Sequence, residues 1–357
     1  MAGKVLMTGN EAAAEAAIVA GCRFYYGYPI TPQNEIPAYM SRRMPEVGGT
    51  FVQAESELAA INMVYGTSAA GKRVMTSSSS PGISLKQEGI SYIAGSELPA
   101  VILNVQRGGP GLGDIRTSQA DYFQATRGGG HGDYRTIVLA PDSVQEMADL
   151  TRDAFDLADK YRTPVIVLAD ARIGQMMEPV EFKKRPKPEL PPKDWALTGA
   201  KGRPRNIVKS FYWIEGDLEK FNLHLQKKYR KIEEKEPRWE EIETEDAEIM
   251  VAAYGTAARI SKEALRLGRE KGARIGLFRP ITLWPFPRAR LAQLAETTRG
   301  VLVVELSAGQ MVEDVRLSIE GKVPVDFLGR LGGAVPTSTE ILEKAENILQ
   351  ETMEKVG

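Results

Sequence analysis

Two short segments made almost entirely of apolar residues limit the possible folds of this chain more than any other feature. Residues 99–106 and 164–169 lack the alternation of polar and apolar residues that a half-exposed strand shows. Such runs are typical of strands that are buried on both faces. Helix-forming segments surround them, as at residues 11–20, 57–70 and 143–161. This repeated order of strand and helix predicts an α/β protein with a mostly parallel, doubly wound sheet.

A change of composition divides the chain into three parts. Residues 1–181 carry the first series of predicted strands and helices, and residues 246–357 return to the same pattern. Residues 182–245 are first rich in proline and basic residues and then highly charged, which predicts an extended connector followed by a helix at 215–236. Because 357 residues suffice for two domains, we predict a larger and a smaller α/β domain joined by this connector.

The overall charge and hydropathy exclude several classes of partner. The net charge is −1, which gives no reason to expect binding to nucleic acid or to an anionic membrane. The longest apolar runs are too short to span a bilayer. The first residues do not contain the apolar core of a secretory signal. We therefore expect a cytoplasmic protein.

The chain has few residues that could hold an iron–sulfur cluster or a structural zinc ion. Cys22 is the only cysteine, and His131 and His224 are the only histidines. Iron–sulfur clusters and structural zinc sites need several such ligands, so we expect no metal bound by this chain alone. His131 lies in the glycine-rich loop 128–133 without an evident carboxylate partner, and a structural or exposed role explains it better than catalysis. The sequence leaves open whether this loop or the loop 108–114 contacts a ligand.

A proline-bracketed loop at residues 28–32, Tyr-Pro-Ile-Thr-Pro, resembles one wall of a small-molecule site. Proline fixes its own φ and favours an extended conformation for the residue before it, which should give the Thr31 hydroxyl a fixed direction. Further along, Glu57 opens a helix whose later turns are small and apolar, as expected of a buried helix. The serines at 77–80 lack the nucleophile-elbow pattern, so we expect their hydroxyls to serve a ligand or the next helix.

Several segments, in the same order, are similar to those of one enzyme family. They are residues 9–12, 28–32, 56–60, 76–82 and 106–110 in the first part, and 253–256 and 277–287 in the last part. The first domain resembles the pyrimidine-binding domain of thiamine-diphosphate-dependent 2-oxoacid:ferredoxin oxidoreductases, in particular the alpha subunits of the 2-oxoisovalerate and 2-oxoglutarate enzymes. The second domain resembles the transketolase C-terminal-like domain of the same family.

The resemblance implies that Glu57 binds the ring nitrogen N1′ of the aminopyrimidine. A carboxyl group suits this place because burial disfavours its charged form and prepares it to share a proton. Glu55 is the rival acid, but the Ser-Glu-Leu-Ala-Ala register favours Glu57. Without the resemblance, both acids could simply be favourable charges at a helix N-terminus.

The same resemblance implies roles for the proline-bracketed loop and for one arginine. Tyr28, Pro29 and Ile30 are expected to contact the cofactor. Thr31 and Arg107 are expected to bind the substrate carboxylate, since a guanidinium can hold a carboxylate in a fork. Arg107 follows a predicted buried strand, where ligands of open α/β sheets collect. A solvent-exposed loop arginine is the alternative.

The implied activity is the coenzyme A-dependent oxidative decarboxylation of a 2-oxoacid to acyl-CoA, CO₂ and reduced ferredoxin, as in anaerobic metabolism. A branched-chain acid such as 2-oxoisovalerate is favoured over 2-oxoglutarate. Two alternatives stay open: a subunit of a non-redox, synthase-type thiamine diphosphate enzyme, and a non-catalytic regulatory subunit with the same fold.

Half of the implied active site is missing from the sequence. In this superfamily Gly-Asp-Gly marks the diphosphate and magnesium site, and the Gly-Asp pairs at 113–114, 132–133 and 216–217 all lack the second glycine. We therefore expect a beta subunit to supply the diphosphate site, Mg²⁺ and an iron–sulfur cluster. A gamma subunit is expected to bring the coenzyme A domain, and a ferredoxin-like delta subunit could complete the complex.

Overall fold

The structure is a computed structural model that describes residues 3–186 and 188–354. Before the connector, the elements are β1 (Val5–Thr8), α1 (Gly9–Val19), β2 (Phe24–Gly27), α2 (Glu35–Glu46), β3 (Thr50–Gln53), α3 (Glu57–Ala69), β4 (Val74–Ser78), α4 (Ser80–Gly95), β5 (Ala100–Gln106), α5 (Tyr122–Arg127), β6 (Ile137–Leu139), α6 (Val144–Tyr161), β7 (Pro164–Asp170), α7 (Ala171–Gln175) and β8 (Met177–Val180). The connector contains α8 (Asp217–Lys235) and β9 (Trp239–Ile242). The last part contains β10 (Ile249–Ala253), α9 (Gly255–Glu270), β11 (Ile275–Pro280), β12 (Thr282–Trp284), α10 (Arg288–Leu294), β13 (Gly300–Glu305), α11 (Met311–Ile319), β14 (Val325–Gly329) and α12 (Ser338–Glu354). Lys187, within the proline-rich stretch, lies outside the described residues.

A seven-stranded sheet forms the centre of the first domain. Its strand order is β12-β6-β7-β5-β4-β2-β3, and all neighbours are parallel except β12 and β6. Every residue of β5 and β7 is buried, as the apolar runs predict. Helices α1 and α6 pack against each other, and so do α3 and α4. The predicted doubly wound α/β fold is therefore confirmed.

The second sheet is smaller and has its own core. Its strand order is β14-β13-β10-β11-β9, parallel except for the pairing of β9 with β11. The helices α9 and α12 pack on this sheet and on each other. Their apolar side chains form a separate cluster with those of the strands. Among the described residues, no helix combines the length and apolar character needed to cross a membrane.

Two strands pair with a sheet outside the part of the chain in which they lie. β9 belongs to the connector and pairs with β11 of the second sheet, whereas β12 comes from the second domain and pairs with β6 of the first sheet. The connector helix α8 spans Asp217–Lys235, close to the predicted helix at 215–236, and buries Leu225, Tyr229 and Ile232. The domain limits at 181/182 and 245/246 stay predictions, but the sheets themselves cross those limits.

A buried arginine connects the two domains near the pairing of β9 with β11. Arg279 on β11 is 2% exposed. Its two terminal nitrogens donate to the carboxylate of Glu146 on α6 at 2.8 and 2.7 Å, and its Nε donates to Glu240 on β9 at 2.7 Å. The guanidinium thus connects α6 of the first domain with two strands of the second sheet.

Replacing Arg279 with alanine is expected to lower the free energy of unfolding by about 3 kcal/mol, because both carboxylates lose their buried partner. Urea unfolding followed by circular dichroism measures the loss. Arg266→Ala is the matched control, since Arg266 pairs with Glu263 on an exposed helix face and such surface pairs contribute little. Equal stability of Arg279→Ala and the wild type would contradict a bridging role.

Candidate functional site

The predicted site residues meet where neighbouring strands of the first sheet end. β2 ends at Gly27, β4 at Ser78 and β5 at Gln106, and these strands are parallel neighbours in the sheet. The segments that follow them therefore lie at one edge, beside the start of α3. This is the edge of an open α/β sheet at which ligands generally bind.

Glu57 is the first residue of α3 and is only 6% exposed, whereas Glu55 is exposed. Ser56 caps the helix, since its hydroxyl accepts a hydrogen bond from the backbone N–H of Ala59 at 3.2 Å. The cap fixes the direction in which the helix begins and thereby holds the Glu57 side chain at the sheet edge. Of the two acids that the sequence left as rivals, the structure places Glu57 in the interior.

A glycine on the neighbouring helix makes room for this carboxyl group. A Cβ atom added to Gly82 of α4 would lie 2.5 Å from Glu57 Oε1 and 2.1 Å from Ser78 Oγ. Any larger residue at this position would therefore have to displace one of the two side chains. The hydroxyls of Ser78 and Ser79 are buried and have no hydrogen-bond partner among the described residues. The site thus combines a buried carboxyl group with polar atoms that lack a partner.

Arg107 and Thr31 lie together at the same edge. Arg107 is 6% exposed, so the alternative of a solvent-exposed loop arginine is wrong. Its Nη1 donates to the Thr31 carbonyl at 2.9 Å and its Nη2 to the Leu112 carbonyl at 2.7 Å. Its buried Nε has no partner in the part of the chain that the structure describes, and a guanidinium has five N–H groups in all. The Thr31 hydroxyl accepts a hydrogen bond from Asn34 at 3.2 Å, which leaves its own proton free to be donated.

Two side-chain amides fix the backbone of the proline-bracketed loop. Asn10 of α1 donates to the Pro32 carbonyl at 2.9 Å, and Gln33 donates to the Tyr28 carbonyl at 3.3 Å. Tyr28 and Pro29 are exposed, and Ile30 is half-buried. The loop therefore turns its outer side to solvent, and its contact with a cofactor stays a prediction.

The two glycine-rich loops differ in their contacts. Loop 108–114 is closed by a backbone bridge between Gly108 and Asp114 and presents Leu112, which is 81% exposed. Loop 128–133 is held against α4, where Gly129 N–H donates to the Gln87 side chain at 3.1 Å. His131 in that loop is exposed. A role of either loop in ligand binding stays untested.

One buried residue at this edge was missed from the sequence. Lys86 of α4 is completely buried, and its ammonium nitrogen donates to the Thr76 hydroxyl and to the Ser77 carbonyl, both at 2.9 Å. Burial lowers the pKa of Lys86 to about 7, and the charge of Glu57 opposes that effect. The signal in the sequence is a lone lysine four residues after Gly82, on the same face of the helix.

Family models match both domains. Residues 15–240 match pyruvate flavodoxin/ferredoxin oxidoreductase, thiamine diphosphate-binding, and residues 247–341 match pyruvate:ferredoxin oxidoreductase core domain II. The chain is 53% identical to ketoisovalerate oxidoreductase subunit VorB of Methanothermobacter marburgensis, over 97% of this chain and 98% of that one. It is 38% identical to 2-oxoglutarate synthase subunit KorA of the same organism, over 96% of this chain and 99% of that one.

A solved structure has the same fold across both sheets. It is that of 2-oxoglutarate:ferredoxin oxidoreductase from Magnetococcus marinus with 2-oxoglutarate, coenzyme A and succinyl-CoA bound, and it superposes with a TM-score of 0.85 at 28% identity. The match covers 97% of this chain and 65% of that longer chain. Together with the family models and the two relatives, this match confirms the resemblance drawn from the sequence motifs: the chain belongs to the thiamine-diphosphate-binding pyruvate flavodoxin/ferredoxin oxidoreductase family, among the 2-oxoacid:ferredoxin oxidoreductases.

Proposed function

We propose that the chain is the alpha subunit of a 2-oxoacid:ferredoxin oxidoreductase. The complex would convert a 2-oxoacid and coenzyme A to acyl-CoA and CO₂ and reduce ferredoxin. A branched-chain substrate such as 2-oxoisovalerate is favoured, because the identity to the ketoisovalerate subunit, 53%, is well above the 38% to the 2-oxoglutarate subunit. The second candidate substrate is 2-oxoglutarate, which the solved relative binds.

The main observation behind this proposal is that the Glu57 carboxyl group is buried and packs against Gly82, which has no side chain. An aminopyrimidine ring is flat and has a ring nitrogen that can share a proton with a carboxyl group. The unpartnered hydroxyls of Ser78 and Ser79 offer it further hydrogen bonds. The residues present therefore fit the pyrimidine half of thiamine diphosphate. When bound, that cofactor supplies the carbon nucleophile for 2-oxoacid decarboxylation, and the protein supplies position and electrostatics.

Thr31 and Arg107 would hold the substrate carboxylate. Arg107 uses its two known hydrogen bonds to fix the Thr31 and Leu112 carbonyls, and it retains further N–H groups for an anion. The Thr31 hydroxyl can donate to the same carboxylate. Tyr28, Pro29 and Ile30 would line the cofactor beside them. Charge-assisted hydrogen bonds of this kind are both strong and directional.

The other half of the site would come from partner subunits. The chain has one cysteine and no Gly-Asp-Gly motif, which supports a beta subunit that carries the diphosphate, Mg²⁺ and the iron–sulfur cluster. A gamma subunit would bring the coenzyme A domain, and a ferredoxin-like delta subunit would be the fourth chain. We also propose that the complex is located in the cytoplasm, where it would transfer electrons to ferredoxin.

Copurification of the tagged chain with its partners, followed by iron analysis and assays with a panel of 2-oxoacids, tests the proposal. We expect coenzyme A-dependent reduction of a viologen dye, fastest with 2-oxoisovalerate. Faster reaction with 2-oxoglutarate would overturn the substrate assignment alone. Thiamine-dependent decarboxylation without iron or dye reduction would favour the synthase-type alternative, and absence of any turnover would favour a regulatory subunit.

A further inference from the structure

A buried ammonium group lies near the proposed cofactor-binding carboxyl group. Lys86 stands one helical turn after Gly82 on α4, and residues four apart lie on the same face of a helix. Gly82 is the residue against which Glu57 packs. Long side chains in helices lean back towards the N-terminus, and the Lys86 nitrogen reaches Thr76 and Ser77 at the end of β4. Glu57 and Lys86 thus approach the same strand end from two helices.

Few negatively charged groups surround the Lys86 ammonium in the part of the chain that the structure describes. Its two hydrogen bonds go to a neutral hydroxyl and a neutral carbonyl. The facing titratable groups are Glu57 from α3 and, through its hydrogen bond to Ser77, the buried phenol of Tyr25 from β2. An isolated buried ammonium is costly. A methionine would fill the same space without that cost, so packing does not account for a lysine here.

We propose that Lys86 is a positioning residue that acts through Glu57, by biasing the proton shared between the Glu57 carboxyl group and the aminopyrimidine nitrogen towards the cofactor. This inference rests on the proposed function. A positive charge beside a carboxyl group favours its ionised form. Lys86 is completely buried and interacts electrostatically with Glu57, so its charge favours a carboxylate and places the proton on the ring nitrogen.

Two substitutions separate the charge from the hydrogen bonds. Lys86→Met removes both, whereas Lys86→Gln removes the charge and keeps an N–H donor on a side chain that is one bond shorter. Lys228→Met is the matched control, because Lys228 is a largely buried lysine that pairs with Glu97, just after the C-terminal end of α4. Each variant is prepared in the complete complex with thiamine diphosphate. The readouts are the near-ultraviolet circular dichroism of the bound cofactor against pH, and kcat and KM.

Both Lys86 variants are expected to move the midpoint of the cofactor's spectroscopic titration up by about one pH unit, because a site that loses a positive neighbour holds its proton more tightly. They should lower kcat by about tenfold and leave the KM for thiamine diphosphate nearly unchanged. Lys228→Met should keep the wild-type titration.

A wild-type titration in Lys86→Gln would overturn the proposal, because the hydrogen bonds would then suffice. So would an increase in KM with kcat unchanged, which indicates a structural role. Glu57→Gln separates this failure from that of the proposed function. If Glu57→Gln abolishes turnover while the Lys86 variants behave as the wild type, only the role of Lys86 is refuted. If Glu57→Gln also leaves turnover and the titration unchanged, the proposed function itself is refuted.

Discussion

Replacing Glu57 with glutamine is expected to lower kcat of the complete complex by about 10²–10⁴-fold, the usual contribution of a positioned proton-transfer group. Glutamine fills nearly the same volume, so the contact with Gly82 and the helix cap at Ser56 should survive. It cannot take up or release a proton, and the ring nitrogen of the cofactor would lose its proton-sharing partner. Steady-state turnover of a 2-oxoacid with a dye acceptor measures the effect.

The matched control is Glu55→Gln, which removes the same charge two residues earlier on an exposed side chain. We expect its turnover to stay within about twofold of the wild type, as for most surface substitutions. The melting temperatures of the two variants should agree. Similar losses in both variants would mean that the helix N-terminus needs negative charge in general, and that Glu57 has no individual role.

Replacing Lys86 with methionine is expected to stabilise the chain at neutral pH. Burial lowers the pKa of Lys86 from 10.5 to about 7, so between these values the unfolded chain binds a proton that the folded chain does not. The wild type therefore gains stability as pH rises through this window. Each unit between the two pKa values corresponds to about 1.4 kcal/mol, so burial of the charged lysine lowers the free energy of unfolding by on the order of 5 kcal/mol below pH 7.

Urea unfolding of the wild type and Lys86→Met at several pH values measures this difference. The variant should be more stable at pH 7, and the advantage should shrink towards pH 10. Lys228→Met should gain less, because burial lowers the pKa of Lys228 as well, but its removal leaves the half-buried Glu97 carboxylate without the ammonium that lies 3.1 Å away. A variant of Lys86 that is less stable than the wild type at every pH would show that the ammonium stabilises the fold.

The parts of the fold that depend on local pattern were predictable from the sequence. The apolar runs at β5 and β7 determine buried strands, and α6 and α8 lie within two residues of their predicted limits. The cap of α1 does not follow from residue preference alone. Asn10 is a residue type that favours helix caps, but Thr8 caps the helix with Glu11, and Asn10 holds the Pro32 carbonyl. A contact 22 residues away in sequence thus prevailed over local preference.

The candidate site was predictable in its residue types but less so in its surroundings. The position of Glu57 follows from its place at the start of a small, apolar helix. Arg107 follows a buried strand, yet its hydrogen bonds to the Thr31 and Leu112 carbonyls depend on two loops whose conformations no periodicity determines. Lys86 was missed because a single lysine in a helix is usually exposed. Its burial becomes evident only when α4 is placed against the end of β4.

The pairings of β9 and β12 matter for the design of shorter fragments of this protein. β12 continues the first sheet beyond β6, and β9 continues the second beyond β11. A fragment that ends near residue 245 lacks β12, so one side of β6 would have unpaired backbone N–H and C=O groups. The complementary fragment lacks β9, so one side of β11 would be unpaired in the same way. Bare sheet edges of this kind recruit other chains. The halves are therefore best expressed as one polypeptide.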